Sequence, residues 1–141
     1  MQSLLDYAKS WIGVPYKWGG ENFFGVDCSG FVRQVLKSVN VCPSYDMTAN
    51  GLYRYFKEYG ILLDKPKAGA LVFFGDEYLI RHVSLCLNGW QMIEAGGGTS
   101  STKTRSDADA SNAFVRIRPI SRRIDLVGFI MPDYPSELLN E

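Results

Sequence analysis

The chain has 141 residues, 46% hydrophobic and 13% aromatic, with acidic and basic side chains balanced at 15 each. That length and apolar content suit one domain with its own core, needing no disulfide or metal staple, and the zero net charge disfavours nucleic acid as a partner. No run of about 18 apolar residues occurs, so no membrane insertion is expected.

Leu4, Leu5, Ala8, Trp11 and Ile12 recur at helical spacing until Gly13 and Pro15 stop the pattern, which predicts an amphipathic helix over residues 2–12. Asp6 and Lys9 interrupt any apolar signal core there, and no small-residue cleavage site follows, so a chain without a signal peptide, cytoplasmic as synthesised, is expected. Residues 14–26 mix Pro15, Gly19, Gly20 and Gly25 with Tyr16, Trp18, Phe23 and Phe24, the composition of an irregular aromatic-lined loop. From Cys28 onward, Phe31, Val32, Val35, Leu36 and Val39 give a second helix a broad buried face, with Asp27 as its N-cap. A third helix is predicted over residues 48–59, ended by Gly60, with Tyr53, Tyr55, Phe56 and Tyr59 mostly in the core.

After Gly60 the period changes. Residues 69–75, 81–89 and 90–98 are short, rich in β-formers and ended by Gly or by Asn88-Gly89, the pattern of strands joined by tight turns. A Gly/Ser/Thr/Asp-rich segment, residues 96–112, reads as a mobile surface loop, followed by strands near 114–119 and 126–131. Helices first and strands second predict an α+β class, with N-terminal helices packed against a mostly antiparallel sheet of about five or six strands. One domain is expected over residues 1–135, with a C-terminal tail over 136–141 and no internal repeat.

Three cysteines, Cys28, Cys42 and Cys86, cannot all pair within one chain. None forms a C-x-x-C unit, and the only histidine is His82, so neither a metal nor a cofactor is expected. A thiol attacks as its thiolate, and a position in the first turn of a helix favours that anion through unpaired amides and the macrodipole. Only Cys28 has such a position; Cys42 beside Pro43 and Cys86 on an apolar strand read as structural. In a strand, His82, Ser84 and Cys86 share one face and Val83, Leu85 and Leu87 the other, and one face meets the Cys28 helix. Counting back from Asn88-Gly89 brings residues 93–96 near His82, where Glu94 is the only polar side chain. A carboxylate there would fix the imidazole tautomer and favour the imidazolium, giving a candidate triad of Cys28, His82 and Glu94. On local pattern alone, Cys28 reads also as a small buried hydrophobe, His82 as a satisfied interior residue and Glu94 as a solvated strand end.

"GVPYKWGG", "DCSGFV", "LVFF", "HVSLCLNG" and "MIEAGG" stand in an order and spacing that resemble the NlpC-type cell-wall cysteine endopeptidases of the papain-like clan, over residues 4–95. The resemblance implies a papain-like fold, Cys28 as nucleophile, His82 as general base and the Tyr16 hydroxyl as an oxyanion ligand. It also implies that Asp27 and Ser29 contact the amino end of a peptide and that Trp18 lines the groove. The implied reaction is hydrolysis of peptidoglycan stem peptides, commonly between D-glutamate and the diamino acid, without a cofactor; a monomer is expected. Two departures stand out: Glu94 where the family usually has His, Asn or Gln, and "GALVFF" with Ala70 in place of an acid. Rival readings are an acyl or amide transferase using the same Cys-His pair, and a catalytically silent wall-peptide binding module. Reaching a wall would then fall to phage or other export machinery. Arg116 and Arg118 share a strand face, with Arg122 and Arg123 beyond, and read as solvated, with a role towards substrate carboxylates left open.

Overall fold

The computed structural model describes residues 1–43 and 45–141. Helix α1 (Gln2–Lys9) buries Leu4, Leu5 and Ala8. It stops short of residue 12 because the chain tightens: Trp11 N–H donates to the Ala8 carbonyl and Ile12 N–H to that of Lys9, and Gly13 then turns at φ +93°. Trp11 stays in the core, stacked on Phe23 with ring centroids 4.0 Å apart. Residues 14–26 are more regular than an irregular loop. They hold a hairpin of β1 (Glu21–Asn22) and β2 (Gly25–Val26), and Tyr16 bridges to Val26. Strands of two residues carry no readable alternation, so the pattern hides them.

Helix α2 (Cys28–Lys37) and helix α3 (Ala49–Tyr59) follow the expected bounds closely. Asp27 caps the first, and the Thr48 hydroxyl caps the second by accepting from Gly51 N–H at 3.1 Å. Phe31, Val32, Val35 and Leu36 of α2 are buried, as are Leu52 and Phe56 of α3. Tyr53 and Tyr55 only lean on that core and Tyr59 is exposed, so the aromatic set is less internal than its spacing suggests.

The sheet has six antiparallel strands in the order β3-β8-β4-β5-β6-β7. These are β3 (Ile61–Leu63), β4 (Leu71–Gly75), β5 (Ile80–Cys86), β6 (Gln91–Gly96), β7 (Phe114–Pro119) and β8 (Leu126–Met131). Sequence patterning misses only β3, whose three residues pair with the end of β8. Leu71, Phe73, Val83, Leu85, Ile93 and Ala95 join the core under the helices. The opposite face carries Ala70, Val72, Phe74, Cys86 and Met92, closed by Ile120 and Phe129. Val83 and Leu85 therefore meet the helices, and His82 and Ser84 share the parity of Cys86. The start of the outer edge of β7 is taken by residues 13–15: Gly13 N–H donates to the Val115 carbonyl and Val115 N–H to that of Val14, each at 2.9 Å.

The segment 96–112 is not the surface loop that its composition predicts. It contains helix α4 (Arg105–Ser111), opened by a capping box in which Thr104 and Asp107 each satisfy the other's backbone N–H. Asn112 ends it in the left-handed region at φ +51°, and Ala108 is fully buried. The Ser, Thr and Asp residues that suggest a loop are here the helix caps. The tail 136–141 carries the short helix α5 (Ser136–Leu139), which buries Leu138, while Glu141 accepts from the Met1 amino group at 2.7 Å. The fold is papain-like: α2 lies against an antiparallel sheet, with its N-terminus at the start of β5 and the end of β6.

Candidate active site

Cys28 is the first residue of α2, half-buried and not in a disulfide. Asp27 sets its position: one carboxylate oxygen accepts from Gly30 N–H at 2.7 Å and the other from Gly19 N–H at 3.0 Å. Ser29 Oγ donates to the same carboxylate at 3.3 Å. Gly30 has no side chain because a Cβ there would strike the Gly20 carbonyl, so the helix start presses directly onto the Trp18-Gly19-Gly20 turn. The "WGG" and "DCSG" blocks thus build a single corner that presents the thiol.

His82 and Glu94 are buried, 7% and 4% exposed, and His82 Nε2–H donates to Glu94 Oε1 at 2.6 Å. Ser84 Oγ donates to the same oxygen at 3.2 Å and lies 3.1 Å from Nε2. With Nε2 committed to Glu94, Nδ1 is the nitrogen left to serve the Cys28 sulfur. Burial alone would lower the imidazole pKa, yet hydrogen bonds to Cys28 and Glu94 and the charges of both carry it up to about 9. Glu94 moves the other way: burial would raise it, but the His82 hydrogen bond and charge hold it below the usual range. Both shifts favour the imidazolium–carboxylate form of the pair. Arg118 Nε stands 3.8 Å from the free oxygen of Glu94.

Tyr16 is buried beside the thiol, its backbone held by Ala113 and Val26. Burial, then the charges of Cys28 and Asp27, raise its pKa far above the ordinary value, so the hydroxyl remains a proton donor. Gly98 lies against the Tyr16 ring, where a Cβ would come within 2.1 Å of Tyr16 Cδ1. Trp18, half-exposed, is anchored by its N–H donating to the Thr102 carbonyl at 2.7 Å.

Two clefts meet at Cys28. One, of about 860 Å³, is lined by His82, Glu94, residues 96–99, Arg122 and Arg123. The other, of about 590 Å³, is lined by Glu21, Asp27, Ser29, Asp46 and the start of α3. Tyr16, Trp18, Cys28 and Arg81 border both. All seven site residues expected from sequence, Cys28, His82, Glu94, Tyr16, Asp27, Ser29 and Trp18, border these clefts. Ser84 is the member that sequence reasoning passes over. The available signal was its parity with His82, which puts its hydroxyl on the same face of β5.

Cys42 and Cys86 border neither cleft. Burial pushes the Cys86 thiol up to about 12 and raises Cys42 as well. Arg116 and Arg118 depart from a solvated face. Their guanidinium groups are largely enclosed, with Nε and Nη2 of Arg116 and Nε of Arg118 buried and without a hydrogen-bond partner.

A cysteine on a helix N-terminus and a histidine backed by a carboxylate on an antiparallel sheet define the papain-like class of thiol site. The sequence profile of the NlpC/P60 family matches residues 13–118, and the chain belongs to that family. It is 32% identical to the gamma-D-glutamyl-L-lysine dipeptidyl-peptidase of Bacillus subtilis over 97 residues, which are 67% of this chain and 31% of that protein. It is 34% identical to the probable endopeptidase NlpC of Escherichia coli over 110 residues, covering 75% of this chain and 67% of the relative. Among solved structures it is similar to the P60 domain of an antigen from M. avium subspecies paratuberculosis, with 25% identity and a TM-score of 0.69, covering 95% of this chain and 94% of that one.

Proposed function

We propose that this chain is a cysteine endopeptidase that cleaves peptidoglycan stem peptides between D-glutamate and the diamino acid. One observation carries the proposal: the His82–Glu94 pair, 2.6 Å apart and buried, sits in the cleft that also holds Cys28. The names of the relatives, a gamma-D-glutamyl-L-lysine dipeptidyl-peptidase among them, support the substrate class.

In this reading the Cys28 sulfur attacks the carbonyl carbon, and the oxyanion accepts from the Tyr16 hydroxyl and the Cys28 amide. The His82 imidazolium then gives its Nδ1 proton to the amine nitrogen as the C–N bond breaks, leaving an acyl-thioester. Water attacks the thioester carbonyl, His82 takes the water's proton, and the C–S bond breaks to release the acid and the sulfur anion. Glu94 stays ionised throughout and holds the ring in place. Asp27 and Ser29, in the more acidic cleft, receive the amino end of the peptide. The enzyme acts as a monomer, because every group the chemistry needs comes from one chain. Its place of action is a cell wall, reached through phage or other export machinery.

The test is mass spectrometry of muropeptides digested by the wild type and by Cys28→Ala. Loss of all cleavage in the variant is expected, and retained cleavage refutes the mechanism. Repeating the digest with an added amine acceptor separates hydrolysis from transfer by product mass.

A further inference from the structure

The arginine-rich stretch 116–123 has no part in the chemistry above. Arg123 is satisfied: its Nε and Nη2 donate to Asp125 at 3.0 and 2.9 Å, and its guanidinium lies 5.0 Å from the Phe74 ring centroid. Arg81, on the opposite rim, donates to Asp76 at 2.8 Å. The other three arginines are not balanced in this way. Arg116 faces Glu94 across the β6–β7 ladder, but its Nε and Nη2 are buried without partners. Arg118 has only a 3.8 Å approach to Glu94, a carboxylate already held by His82 and Ser84. Arg122 is exposed on the 3-10 turn Ile120–Arg122, borders the larger cleft, and pairs with no carboxylate among the described residues. Arg116 and Arg118 therefore stand beside one acid that the His82 ring already engages, and Arg122 lies close enough to Arg118 to add to their field. The crowding is felt at Arg118, where burial and then Arg116 and Arg122 depress the guanidinium pKa.

We propose that Arg122, backed by the field of Arg116 and Arg118, binds a substrate carboxylate on the leaving-group side of the scissile bond. This rests on the peptidase reading and adds a specificity to it. The polarity of the two clefts sets the direction. Glu21, Asp27 and Asp46 line the smaller one against a single lining cation, Arg81, although buried Arg33 binds Glu21 and Asp46 from behind. A peptide with its amino end there and its carboxyl end over Arg122 matches charge at both ends. His82, which hands a proton to the departing amine, borders the Arg122 cleft. Residue after residue, the leaving half runs towards the cations. An arginine presenting paired N–H groups suits a carboxylate, and no single Nη position needs to be prebuilt.

The experiment uses Cys28→Ala, which binds without turnover, and two synthetic stem peptides that differ only in a carboxylate or a carboxamide on the residue after the scissile bond. Calorimetric titration at about 50 mM salt is expected to show the acid binding about fivefold tighter, with the gap narrowing at about 500 mM as the charges are screened. In Cys28→Ala combined with Arg122→Gln the gap should close. Equal affinities, a gap that survives Arg122→Gln, or no binding of either peptide each overturn the site. The peptidase reading is scored separately, by cleavage with the wild type. Cleavage without acid preference leaves that reading standing and removes this one, and an acid preference in binding without cleavage does the reverse.

Discussion

Replacing Glu94 with Gln tests the electrostatic centre of the site. The rise of His82 from 6.5 to about 9 corresponds to about 3 kcal/mol in favour of the protonated ring, the net left after burial has opposed it. Cys28 and Glu94 supply that stabilisation against the burial, so removing the carboxylate charge should lower the imidazole pKa by about one or more. The amide oxygen introduced by Glu94→Gln still accepts from Nε2–H, so the ring should keep its place. His82 is the only histidine, and one NMR resonance therefore reports the titration without assignment. The same shift has a stability signature. A folded pKa above the unfolded 6.5 stabilises fully below pH 6.5, and that contribution disappears as pH climbs through about 9. Wild-type stability should fall over this window, and Glu94→Gln should flatten the fall. A wild-type ring titrating near 6.5, or one unmoved by Glu94→Gln, refutes the reasoning.

Tyr16→Phe removes one oxyanion donor and should lower kcat about 100-fold with little change in KM, measured on a purified muropeptide. Gly98→Ala forces a methyl into the Tyr16 ring and should cost about 1–3 kcal/mol in chemical denaturation, with a fall in kcat that Gly97→Ala, at a φ of +85° but away from that ring, does not reproduce.

The helices and central strands were legible because their apolar residues repeat over enough length to fix a face: Phe31 to Leu36 in α2, Leu71 to Phe74 in β4, and the alternation of β5. The triad followed from the Asn88-Gly89 turn, although the count was loose. Leu85 pairs with Ile93 and Cys86 with Met92, so the ladder extended at this register places Glu94 opposite Ser84, two pairs from His82 along the ladder and next to it on the same face. Composition made up the difference, because residues 93–96 offer no other polar side chain. What escaped depended on distant partners. Helix α4 is written in residues that cap helices but also make loops, and only the buried Ala108 and the Thr104–Asp107 exchange decide between them. The enclosure of Arg116 and Arg118 arises from their place beside Glu94, more than twenty positions earlier in the chain.

The blocked rim of β7 has a consequence beyond this domain. An open strand end invites another polypeptide to zip alongside it. Here residues 13–15 take up the start of one margin, and the other is the three-residue β3, followed at once by Asp64, Lys65 and Pro66. A unit whose strand margins are part-filled on one side and only three residues long on the other offers a neighbour little to zip onto, so it can be tethered beside other domains without merging with them.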